Sequence, residues 1–188
     1  MHKTKHFKLY IIEDSYINYL RQFDNLVPYN KNHTRPYIGI VYTYNNTNYF
    51  APLSSPKPKH LKMKTSQIDI YKIDNGKLGI ININNMIPTP IECLTEILPI
   101  ISEQKYKTLL ENQISFINIP ENSIKLLNKV NRFQEEYRKN LLPQNILERT
   151  CNFPLLEEKC KDWIKLSNEE QQSAENNTSE EDEDEPEM

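Results

Sequence analysis

The apolar residues change their spacing at Pro99, and that change limits the fold more than any other feature of the chain. Upstream, apolar and polar residues tend to alternate; downstream, apolar residues recur every three to four positions. Residues 6–12 (HFKLYII), 37–44 (YIGIVYTY), 48–53 (NYFAPL), 67–73 (QIDIYKI) and 77–84 (KLGIININ) read as strands. Asn45-Asn46-Thr47 and Asp74-Asn75-Gly76 join two pairs of them into hairpins. Residues 86–90 (MIPTP) are irregular, and 92–99 supply a short edge strand. One helix interrupts the strands, at 15–23, where Tyr16, Tyr19, Leu20 and Phe23 share a face. Beyond Pro99, Ser102 is placed to cap a helix reaching about residue 118. Pro120 opens a second helix that Pro143 ends, and 153–165 form a third that buries Phe153, Leu156, Cys160 and Trp163.

Strands first and helices second predict an α+β domain: a compact, twisted, mostly antiparallel sheet with helices packed on it. A length of 188 residues suits one such core, expected to span 1–166. Residues 167–188 hold ten acidic residues, no Lys or Arg and almost nothing apolar, so they read as a disordered acidic tail.

The tail masks the charge of the rest. The whole chain has 23 Lys and Arg against 26 Asp and Glu, yet residues 1–166 alone carry +7. That excess falls entirely within residues 1–72, which hold 11 basic and 4 acidic residues and all four histidines. A basic half of this kind fits a polyanion. It also fits an ordinary Lys- and Asn-rich composition.

Several chemistries lack sequence support. Three glycines leave no GxGxxG or GxxxxGK[ST] phosphate loop. HExxH, GxSxG and CxxC are absent, so no metal or other cofactor is expected. Cys93, Cys151 and Cys160 are odd in number, which suits free thiols in a reducing compartment and hence the cytoplasm. No apolar run is long enough to span a membrane, and Glu13 and Asp14 interrupt any leader-like stretch.

The segment Tyr49 to His60 (YFAPLSSPKPKH) gathers what metal-free RNA cleavage needs. RNA brings its own nucleophile, the 2′-OH. A protein must orient it, move protons, and stabilise charge on phosphorus. Lys57 is suited to hold the scissile phosphate, and Ser54 and Ser55 to bond its oxygens or the 2′-OH. Prolines 56 and 58 stiffen the segment. Lys59, His60, Lys62 and Lys64 extend the positive track, with His60 the natural acid–base candidate. The loop 24–36 adds Lys31, His33 and Arg35, the last able to grip a phosphate bidentately. The same stretch also reads as a solvated linker, and Tyr16, Tyr19 and Phe23 at helical spacing read first as core. A Ser–Lys acyl-transfer site lacks an oxyanion-hole glycine.

With these residues in view, the chain resembles the ToxN/AbiQ family, the protein components of type III toxin–antitoxin systems. The matching pieces run in order: LYII with SYINYL (9–12, 15–20), Phe23-Asp24, Val27-Pro28, YIGIV (37–41), YFAPLSSPK (49–57), LGIIN (78–82) with MIP (86–88), and TCNF (150–153) leading into LLEEK. The resemblance implies a metal-independent endoribonuclease toxin with a MazF/Kid-like sheet. It would cut cellular and phage mRNA at preferred short sites, leaving a 2′,3′-cyclic phosphate and a 5′-OH. A repeated, pseudoknotted antitoxin RNA would hold it inactive in a ring or larger assembly, giving growth arrest or abortive phage infection.

By the same resemblance, the catalytic positions fall on Ser54, Ser55, Lys57, Tyr16 and Arg35. Arg35 replaces a family lysine, which implies electrostatic help rather than proton transfer. Lys59 stands where the family can carry an aromatic. Two rival readings remain at this point: an RNA-binding module that does not cut, and a MazF-like toxin neutralised by a protein.

Overall fold

A computed structural model of the chain describes residues 6–30 and 34–180. Among them, seven strands form one antiparallel sheet: β1 (Lys8–Ile12), β2 (Tyr37–Tyr44), β3 (Thr47–Ser54), β4 (Ile70–Lys72), β5 (Ile80–Asn82), β6 (Ile87–Pro88) and β7 (Leu94–Glu96). The strand order is β4-β5-β3-β2-β1-β7, with β6 also paired to β3. The expected edge strand is β7, which pairs with β1.

Both hairpins form. Asn45 and Asn46 connect β2 to β3 with φ of 45° and 62°, the left-handed pair that a two-residue hairpin turn demands and asparagine tolerates. β4 and β5 are shorter than the sequence pattern suggested. A tight turn at Ile73–Gly76 and another at Ile83–Asn85 take up the ends of the apolar runs.

β3 is the hub, bonded to β2, β5 and β6. Its residues Tyr49 to Leu53 are buried in succession, because both faces of the sheet are covered there.

The helices are α1 (Asp14–Arg21), α2 (Pro58–Lys62), α3 (Gln104–Ile117), α4 (Pro120–Arg138), α5 (Gln144–Leu147) and α6 (Phe153–Glu180). Four details correct the sequence reading. α1 stops before Phe23, which is left largely exposed. The cap of α3 is Glu103, whose carboxylate accepts from the Tyr106 N–H at 3.1 Å, rather than Ser102. α2 occupies part of an expected loop, because Pro58 takes the first helical position, where its missing N–H costs nothing. Lastly, α6 does not end near residue 165. Residues 167–180 contain no Gly or Pro to stop the helix, and four Glu and two Gln among them favour its continuation. Residues 181–188 of the expected tail lie outside the described residues.

The two long C-terminal helices are tied to the β2–β3 hairpin through one carboxylate. Glu157 accepts from the Tyr49 hydroxyl and from Arg138, whose guanidinium lies 3.5 Å over the Tyr44 ring. All three cysteines are free and buried. No described helix is long and apolar enough to cross a membrane.

Candidate active site

β3 leaves the core and runs directly into the Ser-Ser-Pro-Lys-Pro segment. Leu53 is buried, Ser54 is half-buried, and Ser55, Pro56 and Lys57 are exposed. Two supports fix this hook. On one side stands Gly79, with φ of +100°. A Cβ there would sit 2.1 Å from the Ser54 carbonyl oxygen and 3.2 Å from the Pro56 nitrogen, so only glycine fits. On the other side Lys57 caps α2 in an extended conformation, and its carbonyl accepts from the His60 N–H at 2.9 Å.

The hook walls a cleft of about 330 Å³ lined by Arg35, Ser54, Ser55, Lys57 and Tyr106 among others. A second cleft, of about 400 Å³, also has Arg35 and Ser54 in its wall, together with Arg21, Tyr29, Asn82 and Asn85. Arg35 and Ser54 therefore stand where the two meet, and the pair makes one groove.

Hydrogen bonds fix several of the lining groups. The Arg35 Nε donates to the Tyr29 carbonyl at 2.6 Å. The Arg21 guanidinium lies 3.3 Å over the Tyr29 ring, which is 65% exposed. Asn82 Nδ2 donates to the Ser54 Oγ at 3.0 Å and the Pro52 carbonyl at 3.1 Å. The Tyr106 hydroxyl donates to the Thr34 carbonyl at 3.0 Å. Burial raises the Tyr106 pKa above the ordinary phenol value, while nearby Arg35 acts in the opposite direction.

Lys57, Lys59, Lys62 and Lys64 are exposed, and none has a carboxylate partner among the described residues. Farther along the chain many cations are already paired, including Lys125 with Glu121, Arg138 with Glu157 and Arg149 with Asp69. The positive charge beside the groove is thus free to act on an outside anion.

Of the residues singled out by sequence, Ser54, Ser55, Lys57 and Arg35 come together. Lys59, Lys62 and Lys64 lie farther along the chain from the hook and are exposed. Lys31 and His33 lie outside the described residues. Two expectations are corrected. His60 is 1% exposed, and its Nδ1 has no hydrogen-bond partner among the described residues. Burial lowers its pKa, and Lys59, Lys57 and Lys72 add to the effect. It sits on the buried face of α2, and it presents no surface to a phosphate.

Tyr16 is also displaced from the groove. It is fully buried, its ring is edge-on to Trp163 at 5.4 Å, and its hydroxyl donates to the Pro88 carbonyl at 2.7 Å. Burial holds its pKa well above the ordinary phenol value. Tyr16→Phe should leave RNA cleavage within about threefold of the parent and cost about 1 kcal/mol of stability, the usual worth of one buried hydrogen bond. Denaturant melts and a cleavage time course on the same preparation check both halves.

Sequence reasoning missed four groove residues. Arg21, Asn82, Asn85 and Tyr106 carry no motif that singles them out. Their roles depend on contacts between segments far apart in sequence. A wider groove of about 600 Å³ opens near the start of β1. Its lining includes Lys8, already paired with Glu96 at 2.8 Å, and it brings no comparable set of free hydroxyls and cations.

The model of the ToxN toxins of type III toxin–antitoxin systems matches residues 8–161. The chain belongs to the ToxN family. Among its relatives, the endoribonuclease ToxN of Pectobacterium atrosepticum is 37% identical, across 84% of this chain and 94% of that protein. Endoribonuclease ToxN of Bacillus thuringiensis subsp. kurstaki is 33% identical, across 83% and 84%. Endoribonuclease AbiQ of Lactococcus lactis subsp. lactis is 30% identical, across 85% and 91%. The ToxN family is thus one of endoribonuclease toxins, as the ordered sequence matches implied.

Solved ToxN-family structures agree on the fold. One, described for selective toxin inhibition by a non-coding RNA pseudoknot, superposes with a TM-score of 0.71 at 30% identity, over 85% of this chain and 99% of that one. The structure of AbiQ, a lactococcal anti-phage endoribonuclease of a type III system, gives 0.73 at 27% identity, over 86% and 99%.

Proposed function

We propose that this groove cuts RNA by in-line attack of a ribose 2′-OH on its own 3′-phosphate. The bond from O2′ to phosphorus forms as the bond from phosphorus to O5′ breaks. The 2′ proton leaves to a base and the 5′ oxygen takes one up, giving a 2′,3′-cyclic phosphate and a 5′-OH end. Lys57 stabilises the charge that grows on the non-bridging oxygens, Ser54 and Ser55 orient the phosphate and the 2′-OH, and Arg35 adds a second cation. The observation that carries this reading is the convergence of two hydroxyls with two cations, none of them paired to a carboxylate among the described residues, on one cleft.

The same groove would receive the antitoxin, a repeated and pseudoknotted RNA, and so be blocked by it in a closed protein–RNA assembly. The reading is supported by a relative of like fold whose inhibition is by an RNA pseudoknot. The substrate is cellular and phage mRNA in the cytoplasm, and the outcome is growth arrest or abortive infection. Its anti-phage relative AbiQ supports that outcome.

Purified protein incubated with a transcript in excess EDTA should generate new ends that accept phosphate from a 5′-kinase without prior dephosphorylation. Ends that already carry a 5′-phosphate, or intact RNA held in a gel shift, would overturn the transesterification reading.

A further inference from the structure

We infer that Asn82 is a positioning residue that fixes the direction of the Ser54 hydroxyl; this rests on the proposed role of Ser54 at the phosphate. Asn82 ends β5 and lines the groove beside Ser54 and Arg35. Its side-chain amide has a donor end and an acceptor end, and either could face a serine. Here the neighbouring group decides. The Pro52 carbonyl, 3.1 Å away, can only accept, so the NH2 end must face it.

The same NH2 reaches the Ser54 Oγ at 3.0 Å, which makes that oxygen an acceptor in this bond. The Ser54 O–H proton is then turned away from Asn82. No acceptor within the described residues takes it, and Ser54 stands at the junction of the two clefts. A hydroxyl pre-aimed in this way donates to a phosphate oxygen without first breaking a protein bond. With a carboxylate at position 82 the arrangement would reverse. The acid would accept the serine proton and hold it out of the groove.

The test uses single-turnover and steady-state cleavage of a transcript that the parent protein cuts. Asn82→Ala should lower kcat about 10-fold and the isosteric Asn82→Asp about 100-fold, with KM within about threefold. Ser54→Ala alone should lower kcat about 100-fold. Placed on Ser54→Ala, either Asn82 substitution should change the rate less than about twofold, because the group it positions is gone.

A purely structural asparagine predicts the opposite, its full effect repeated in the Ser54→Ala background, and that result overturns the inference. So does a folded Asn82→Asp with parental kcat. A parental rate in Ser54→Ala alone overturns instead the role of Ser54 at the phosphate, so the two failures are distinct.

A second pair leaves Asn82 untouched and guards against loss of fold. Ser54→Thr keeps an oxygen acceptor for the amide and should retain activity within about threefold. Ser54→Cys offers only a weak acceptor and should fall at least about 10-fold. Equal rates for the two would also overturn the inference.

Discussion

Lys57→Ala is expected to lower RNA cleavage by about 10²–10³-fold, the usual cost of removing one group that meets charge developing in a transition state. The fold should be untouched. Lys57 is exposed, and its side chain makes no hydrogen bond or ion pair with the described residues. Its structural contribution comes from its backbone, which caps α2 and is the same in alanine. A cleavage assay and a thermal melt on one preparation decide the matter. A large loss of rate with an unchanged melting temperature is the expected pair. A parental rate would remove Lys57 from the mechanism, and a parallel fall in melting temperature would make it structural.

Gly79→Ala is expected to cost about 2–4 kcal/mol of stability and most of the activity. Two penalties add: a left-handed φ of +100° that a side chain resists, and a Cβ 2.1 Å from the Ser54 carbonyl oxygen. That oxygen belongs to backbone in a paired strand, so it cannot swing aside as a flexible side chain would. Relief requires moving Ser54 itself, which carries the hook away from Arg35. Denaturant unfolding reads the first effect and the cleavage rate the second. An unchanged denaturation midpoint would show that the hook does not depend on this close approach.

These expectations show which parts of the molecule the sequence disclosed. Period-two patterns and Asn-rich turns are local signals, and both hairpins and the edge strand formed where those signals lay. The hook was visible because its residue types are unusual in company: two serines, two prolines and a lysine. Its supports were not visible. Gly79 and Asn82 act on Ser54 only because β5 pairs with β3, a contact between segments about 25 residues apart. α2 hid behind its prolines, since the same residue that breaks a helix interior also starts one.

Tyr16 teaches the reverse lesson. Its place in an i, i+3, i+4 stripe with Tyr19 and Leu20 pointed to the core, and it is buried there. Its assignment to the active site came from likeness alone, and the hydrogen bond to the Pro88 carbonyl accounts for it without catalysis.

The continuity of β3 has a genetic consequence. Codons 49–53 specify a fully enclosed stretch of the sheet, and codons 54–57 the groups proposed above to meet RNA. Selection for survivors of the toxin would therefore strike one short stretch of the gene by two routes. Lesions in its first part would lower the amount of folded polypeptide, while lesions in its second would leave folded but inert protein.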